Sequence, residues 1–294
     1  MIAALFIIVS VTFFISKALP GNPFSNPKLT PQVQQQLFEK YGLDEPLYVQ
    51  YAKYMANVAQ GNLGTSFYFE GTPVSQMILQ RLPVSAFIGI QAIIFGLVIG
   101  MVLGIVAALW HNTVWDTLAV VVAILGVSVP SFVLGPILQY TLGLKLGLFP
   151  IAFFENWTYS VMPSLALSVF VISTVARFVR TEMLEVIGQD YITLAKAKGL
   201  SSIAVIVKHV LRNAMIPLVT VMAPLTIYII TGSLVIEQIF AVPGVGELFV
   251  QSVVVNDYAM ILGTTIFFSV LFILALLIQD IMYGIIDPRI RVAE

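Results

Sequence analysis

TEMLEVIGQDYITLAKAKGLSSIAVIVKHVLRNAMIP, residues 181–217, is a polar stretch set between two long apolar runs. Backbone and charge inside a bilayer are costly unless satisfied there, so a segment this polar between membrane-length runs belongs in water, where it can touch a partner. Its residues spell two short helices meeting at a corner. Asp190 can cap a first helix that starts at Tyr191, Lys196 and Lys198 suit the negative end of its dipole, and Gly199 ends it. Ser201 or Ser202 can cap a second helix. There Val205, Val207, Val210 and Leu211 supply an apolar side, and Lys208, His209, Arg212 and Asn213 a polar one.

The rest of the chain sets the physical class. Of 294 residues, 59% are hydrophobic and 10% charged, with a mean hydropathy of +0.98. That is far too apolar for a single soluble domain, so the expected class is an all-α integral membrane protein. Charge-free runs cover residues 2–16, 84–110, 117–144, 156–176, 213–236 and 258–279. All but the first hold the ~20 helical residues that ~30 Å of hydrocarbon requires, and six crossings are expected. Arg177, Arg180, Lys196, Lys198, Lys208 and Arg212 cluster around the polar stretch and Arg289 and Arg291 in the tail, whereas the short loops after the third and fifth runs offer only Lys145. Basic residues favour the cytoplasmic side, which puts both termini and the elbow inside and residues 20–83 outside.

The outer stretch has helical grammar of its own. Thr30 and Pro31 make a cap and first-turn pair for a helix through Gln34, Leu37 and Tyr41 that Gly42 stops; a second helix can start at Pro46 and end near Gly61. The first apolar run has no basic residue ahead of it, which separates it from a signal peptide. The turn Pro20-Gly21-Asn22-Pro23 follows it. The organisation expected is a first span at 1–19, a helical extracytoplasmic insertion at 20–83 and a five-span core at 84–294 that contains the water-facing loop 181–216.

QDYITLAKAKGL followed by VIVKHVLRNAMIP resembles the cytoplasmic coupling loop of bacterial ABC importer permeases, in particular the B-type subunit of oligopeptide, dipeptide and nickel importers. Aligned on Gly199, the Glu-Ala-Ala positions of the general importer pattern fall on Thr193, Leu194 and Ala195, so the last alone agrees, and Arg212 stands where a proline is usual. Gly64, Ser66 and Pro73, the stretch SVPSFVLGPIL from Ser128, and Glu237, Pro243, Gly244, Gly246 and Asp257 also resemble family positions. That family carries a positively charged start, which implies a trimmed or alternatively started N-terminus for this chain. The resemblance runs from Pro20 to Arg291. It implies a type I importer permease fold in the bacterial cytoplasmic membrane, working by alternating access. It also implies as partners a second homologous permease in a heterodimer, two ABC ATPase subunits that carry ATP and Mg, and an extracytoplasmic peptide-binding protein. Peptides, first of all oligopeptides, are the expected cargo, with dipeptide or chelated nickel as alternatives.

Within that frame Tyr191, Ala195, Ala197, Gly199 and Leu200 are the residues expected to meet an ATPase: alanine allows close approach, glycine the turn, leucine a pocket contact. Lys196, Lys198, His209 and Arg212 surround them, the cations either pairing with acids on the ATPase or anionic lipid, or forming a solvated face. Pro130, beside Ser128 and Ser131, and Pro136 interrupt a span, as happens either near a translocation path or at a packing kink. Glu237 and Asp257 either greet the ammonium end of a peptide or cap helices. Ala92, Gly96, Gly100, Gly104 and Ala108 recur every four residues, a stripe that lets a second helix approach, in this chain or a partner. Asp280 can hydrate or pair with Arg289.

Some chemistries find no residues to carry them. There is no phosphate-cradling Gly-x-x-x-x-Gly-Lys-Ser/Thr loop and no Gly-x-Ser-x-Gly or His-Glu-x-x-His motif. With no cysteine and only His111 and His209, no metal site or cofactor is expected in this chain. No nucleic-acid partner is expected either. A secondary transporter would show inverted repeats and intramembrane charge, and the runs are nearly charge-free.

Overall fold

In hydrocarbon each backbone N–H and C=O must be satisfied within its own segment, and the apolar runs answer with helices. The computed structural model describes residues 2–18, 23–24, 30–69, 71–230 and 233–286. Among these there is no strand, only an isolated bridge between Thr65 and Pro73. Residues 20–22 of the expected first turn, and Arg289 and Arg291, lie outside the described residues.

Helix α1 (Ile2–Ala18) is followed by the short helices α2 (Pro31–Lys40) and α3 (Leu47–Ala59). Thr30 Oγ1 accepts from the Val33 N–H at 3.4 Å and Pro31 takes the first helical position, so the cap and start expected from the sequence are those observed. Gln50 Nε2 donates to the carbonyls of Leu43 and Glu45 at 3.1 and 2.7 Å and fastens the turn between the pair. Aromatic rings hold α3 to α1: Phe13 stacks on Tyr54 and Phe14 on Tyr51, with centroids 5.4 and 5.3 Å apart.

Helix α4 (Val74–Leu109) starts well before its charge-free run, so the boundary expected at 83/84 falls inside one continuous helix. Arg81 interrupted the run, and it reaches across to Glu247 instead of ending the helix. The run at 117–144, expected as one crossing, is two helices: α5 (Val114–Ser128) and α6 (Ser131–Leu138), the latter continuing as a π turn over Gln139–Lys145, bent by 101°. The cause is Pro130, which forces Val129 into an extended conformation (ψ 114°) and itself opens α6. A 3-10 turn leads into α7 (Val161–Ile187); then come α8 (Asp190–Ala197) and α9 (Ser202–Val205), which passes through a π turn into α10 (Arg212–Ile230). Helices α11 (Leu234–Ile239), α12 (Val245–Val254) and α13 (Tyr258–Ile286) complete the described residues. Among the described residues three segments are long and apolar enough to cross a membrane: Val74–Leu109, Trp157–Ile187 and Tyr258–Ile281; the bent pair makes a fourth.

The centre of the bundle is α4 laid along α7. Ala92, Gly96, Gly100, Gly104 and Ala108 are all buried on that side. A Cβ on Gly96 would sit 2.3 Å from Val171 Cβ, one on Gly100 2.8 Å from the Ile172 carbonyl, and one on Gly104 2.7 Å from the Ala176 carbonyl. The stripe thus faces this chain's own α7, and Gly89 extends it to α10, where a Cβ would meet Ile230 Cα at 2.7 Å. Overpacking of this kind costs about 1–3 kcal/mol. Gly96→Ala is expected to lower the thermal midpoint of the detergent-solubilised protein, whereas Gly188→Ala, whose Cβ would meet nothing closer than 3.5 Å, leaves it in place. Equal midpoints would contradict the close approach.

Candidate functional site

The polar corner closes with a hydrogen-bond pattern that only a left-handed residue completes. Gly199 N–H donates to the Lys196 carbonyl at 3.0 Å and Leu200 N–H to the Ala195 carbonyl at 3.4 Å, with Gly199 at φ +78°. Ser201, not Ser202, caps the next helix, its Oγ accepting from the Ala204 N–H at 3.3 Å. Asp190 is not a cap: it is the first helical residue, and Gln189 precedes it without a side-chain capping bond, its Nε2 donating back to the Glu185 carbonyl at 3.4 Å. The second arm does not stop as a short helix either, because α9 runs on through the π turn into α10. The elbow is slung between two long helices.

Its two sides differ from the expected assignment. Ala195 is only 6% exposed and packs inward with Ile192, Val205, Val210 and Met183, so it cannot meet a partner's surface. The outward apolar residues are Ile203 (75% exposed) and Leu194 (55%), with Tyr191, Leu200 and Val207. Tyr191 is oriented by Asn213, whose Nδ2 donates to the hydroxyl at 3.0 Å. Lys196, Ala197, Lys198, Gly199 and Arg212 are exposed, and His209 is half-buried. Counting the helical period from buried Ile192 would have turned Leu194 outward.

The α5/α6 break opens an apolar cleft of about 640 Å³ lined by Pro130, Ser131, Phe170, Ser233, Phe268 and Phe272, among others. Of the residues expected near a path, Pro130 and Ser131 are on this wall. Ser128 is not: its hydroxyl donates back to the Ile124 carbonyl at 2.9 Å, and it stands outside the lining.

Glu237 and Asp257 do not present carboxylates to a vestibule; each is 1% exposed. Glu237 accepts from the N–H groups of Gly246 and Glu247 at 2.8 and 3.1 Å, at the start of α12. Ser85 of α4 joins the same knot, its Oγ accepting from the Val245 N–H at 2.9 Å. Burial pushes the Glu237 carboxyl above the ordinary carboxylate range, against the pull of these donors. Asp257 accepts from Ser66 Oγ and from the N–H groups of Phe67 and Tyr68 at 3.1 and 3.2 Å, and from Met260 N–H of α13 at 3.2 Å. Both acids are pins between segments distant in sequence. Glu237→Ala orphans buried donors at about 1–3 kcal/mol and should lower the melting midpoint, while Glu237→Gln, which keeps an acceptor, should lie near wild type. The reverse order would contradict the pin. Asp280, by contrast, is exposed on α13.

One cluster was not foreseen as a unit. Arg180 of α7 holds Asp116 of α5 with two bonds, Nε to Oδ1 at 2.7 Å and Nη2 to Oδ2 at 2.9 Å. His111 Nδ1 and the Asn112 N–H each lie 3.0 Å from the same Oδ2. In the sequence Arg180 lies just beyond the charge-free run 156–176 and Asp116 immediately ahead of the run 117–144, which is the one signal that the two share a level. Among the described residues no group of three or more His, Cys, Asp or Glu side chains could hold a metal ion.

Residues 100–292 match the family described as "Binding-protein-dependent transport system inner membrane component", and residues 1–89 its N-terminal companion. The chain is 45% identical to the dipeptide transport system permease protein DppB of Lactococcus lactis subsp. cremoris, over 99% of this chain and 96% of that one. It is 40% identical to the oligopeptide transport system permease protein OppB of Haemophilus influenzae (98% and 95% covered) and 38% to the glutathione transport system permease protein GsiC of Salmonella paratyphi A (99% and 96%). In fold it is similar to a chain of the inward-facing MetNI methionine ABC transporter, with a TM-score of 0.59 at 17% identity over 72% of this chain and 97% of that one. The chain therefore belongs to the binding-protein-dependent transport system inner membrane component family: it is a membrane permease subunit of the ABC importer class and not the subunit that hydrolyses ATP.

Proposed function

We propose that this permease imports peptides by alternating access, driven by two separate ATPase subunits that grip the elbow around Gly199. The observation that carries this reading is the exposure of Leu194, Leu200 and Ile203 on a corner flanked by Lys196 and Lys198, since an apolar patch in water marks an interaction surface. The corner is continuous with α10 and one short link from α7, so a push on it moves helices that line the cleft at Pro130 and Ser131. In the proposed arrangement the chain crosses six times with both termini and the elbow cytoplasmic. It pairs with a second, different permease and receives cargo from an extracytoplasmic binding protein.

Oligopeptides are the first reading. Dipeptides are the second, favoured by the identity to dipeptide permeases of Lactococcus lactis and Bacillus subtilis, 45% and 42%. Reconstitution with the ATPases, second permease and binding protein, followed by ATP hydrolysis in the presence of dipeptides or longer peptides, separates them. Stimulation by neither class would overturn peptide import.

A further inference from the structure

Where α1 ends, a second pocket of about 420 Å³ lies between α1, the outer helices α2 and α3, and the start of α13. Lys17 is on its wall, with Nζ 4.9 Å from the ring centroid of Tyr258 and 5.9 Å from that of Phe13, and no carboxylate among the described residues pairs with it. Lys40 contributes a second ammonium and its neighbour Glu39 a carboxylate. Lys53, also on the wall, is already paired with Glu45 at 2.5 Å, so the lining keeps one positive charge in excess, three lysines against two glutamates. The Tyr54 hydroxyl and Gln50 Oε1 are buried and have no hydrogen-bond partner among the described residues. Buried polar atoms of this kind are rare and call for a ligand or water. Burial pushes the Tyr54 phenol up, so it remains a donor at all physiological pH values.

Two ammonium groups and an unmatched O–H donor complement an oxyanion, and the setting says which one. Helix α1 packs chiefly on α13 and turns Phe6, Ile7, Val11, Phe14 and Ile15 outward, an apolar face suited to acyl chains. Lys17 follows directly on the charge-free run, at the level where hydrocarbon gives way to headgroups. We propose that this pocket binds the phosphate of a membrane phospholipid, held by Lys17, Lys40 and the Tyr54 hydroxyl, with Gln50 Oε1 placed to accept from the headgroup. Both lysines can make charge-assisted bonds to phosphate, and Lys17, half-buried where Lys40 is exposed, is the main contributor.

The inference depends on the membrane placement of α1 and not on the cargo, and lipid retention is read without transport, so the two can fail separately. The test is native mass spectrometry of the full chain in detergent with added phosphatidylethanolamine. The one-lipid adduct is expected to fall about tenfold in Lys17→Met, which is ~1.4 kcal/mol, and several-fold in Tyr54→Phe, with no change in Lys145→Met. Tyr54→Phe removes one oxygen from an otherwise unchanged ring and gives the answer should Lys17→Met fold poorly. Adducts equal to wild type in both variants would overturn the proposal. So would Lys17-dependent binding of inorganic phosphate in equilibrium dialysis without a Lys17-dependent lipid adduct, which would assign the pocket to a soluble anion.

Discussion

Replacing Leu194 and Ile203 together by glutamate is expected to leave the protein inserted and folded and to reduce peptide uptake by at least about 100-fold. Neither side chain belongs to the core, and both stand out from the elbow, so the change falls on a docking surface and not on packing. Burying an aliphatic side chain against a partner contributes about 1.5–3 kcal/mol, so the pair supplies some 3–6 kcal/mol. Driving a conformational equilibrium from 1:99 to 99:1 takes about 5.5 kcal/mol of differential stabilisation, so the loss is of the size that abolishes coupling. Uptake of labelled peptide, with recovery of the folded protein as control, reads the result; uptake within a factor of three of wild type would contradict the docking surface. Gly199→Pro should have the same consequence by another route, since proline cannot adopt φ +78° and loses the N–H that reaches Lys196. Ala195→Glu is the less informative variant: its charge would enter the cluster around Ile192 and Val205 and unfold the corner.

The second large effect is expected at Arg180. Helix α7 leads from this residue to the elbow, and α5 leads from Asp116 to the break at Pro130, so the ion pair ties the docking corner to the cleft wall. Arg180→Ala strands the Asp116 carboxylate, 7% exposed, with only His111 and one backbone N–H, and breaking such a pair costs about 3–5 kcal/mol. The double variant Asp116→Ala/Arg180→Ala removes the stranded charge and should recover much of the lost melting midpoint. A thermal double-mutant cycle checks this: a double variant as unstable as the two single effects added together would show that the pair does not act as a unit.

What the sequence disclosed was governed by local rules. Thr30 and Pro31 opening α2, Ser201 opening α9 and Gly199 ending the turn after α8 are decided within a few residues, and each is where local chemistry puts it. The stripe from Ala92 to Ala108 was equally visible, but its partner was not, because the approach of Val171, Val175 and Val179 is a property of two helices. A charge-free run reports length and not direction, which is why 117–144 read as one crossing although Pro130 stood in the middle of it. Of the two readings open for the acids, helix capping holds, since Glu237 accepts from the first N–H groups of α12 and Asp257 from one of α13, but their burial was not visible. Glu237 and Asp257 sit in segments that look solvated, and their burial comes from Ser85 and from residues 66–68, far away in the chain. Ala195 failed likewise: small residues allow close approach, and here the neighbour is the chain's own core.

The most direct test is site-directed crosslinking in the assembled transporter. The chain has no cysteine, so a single cysteine at position 203, exposed and beyond the turn at Gly199, reports from one place alone. The expected result is an efficient crosslink from that cysteine to a nucleotide-hydrolysing subunit, at a yield that changes when ATP is bound. A transport-competent assembly in which position 203 crosslinks to no ATPase subunit, with or without nucleotide, would contradict the proposed grip on the elbow.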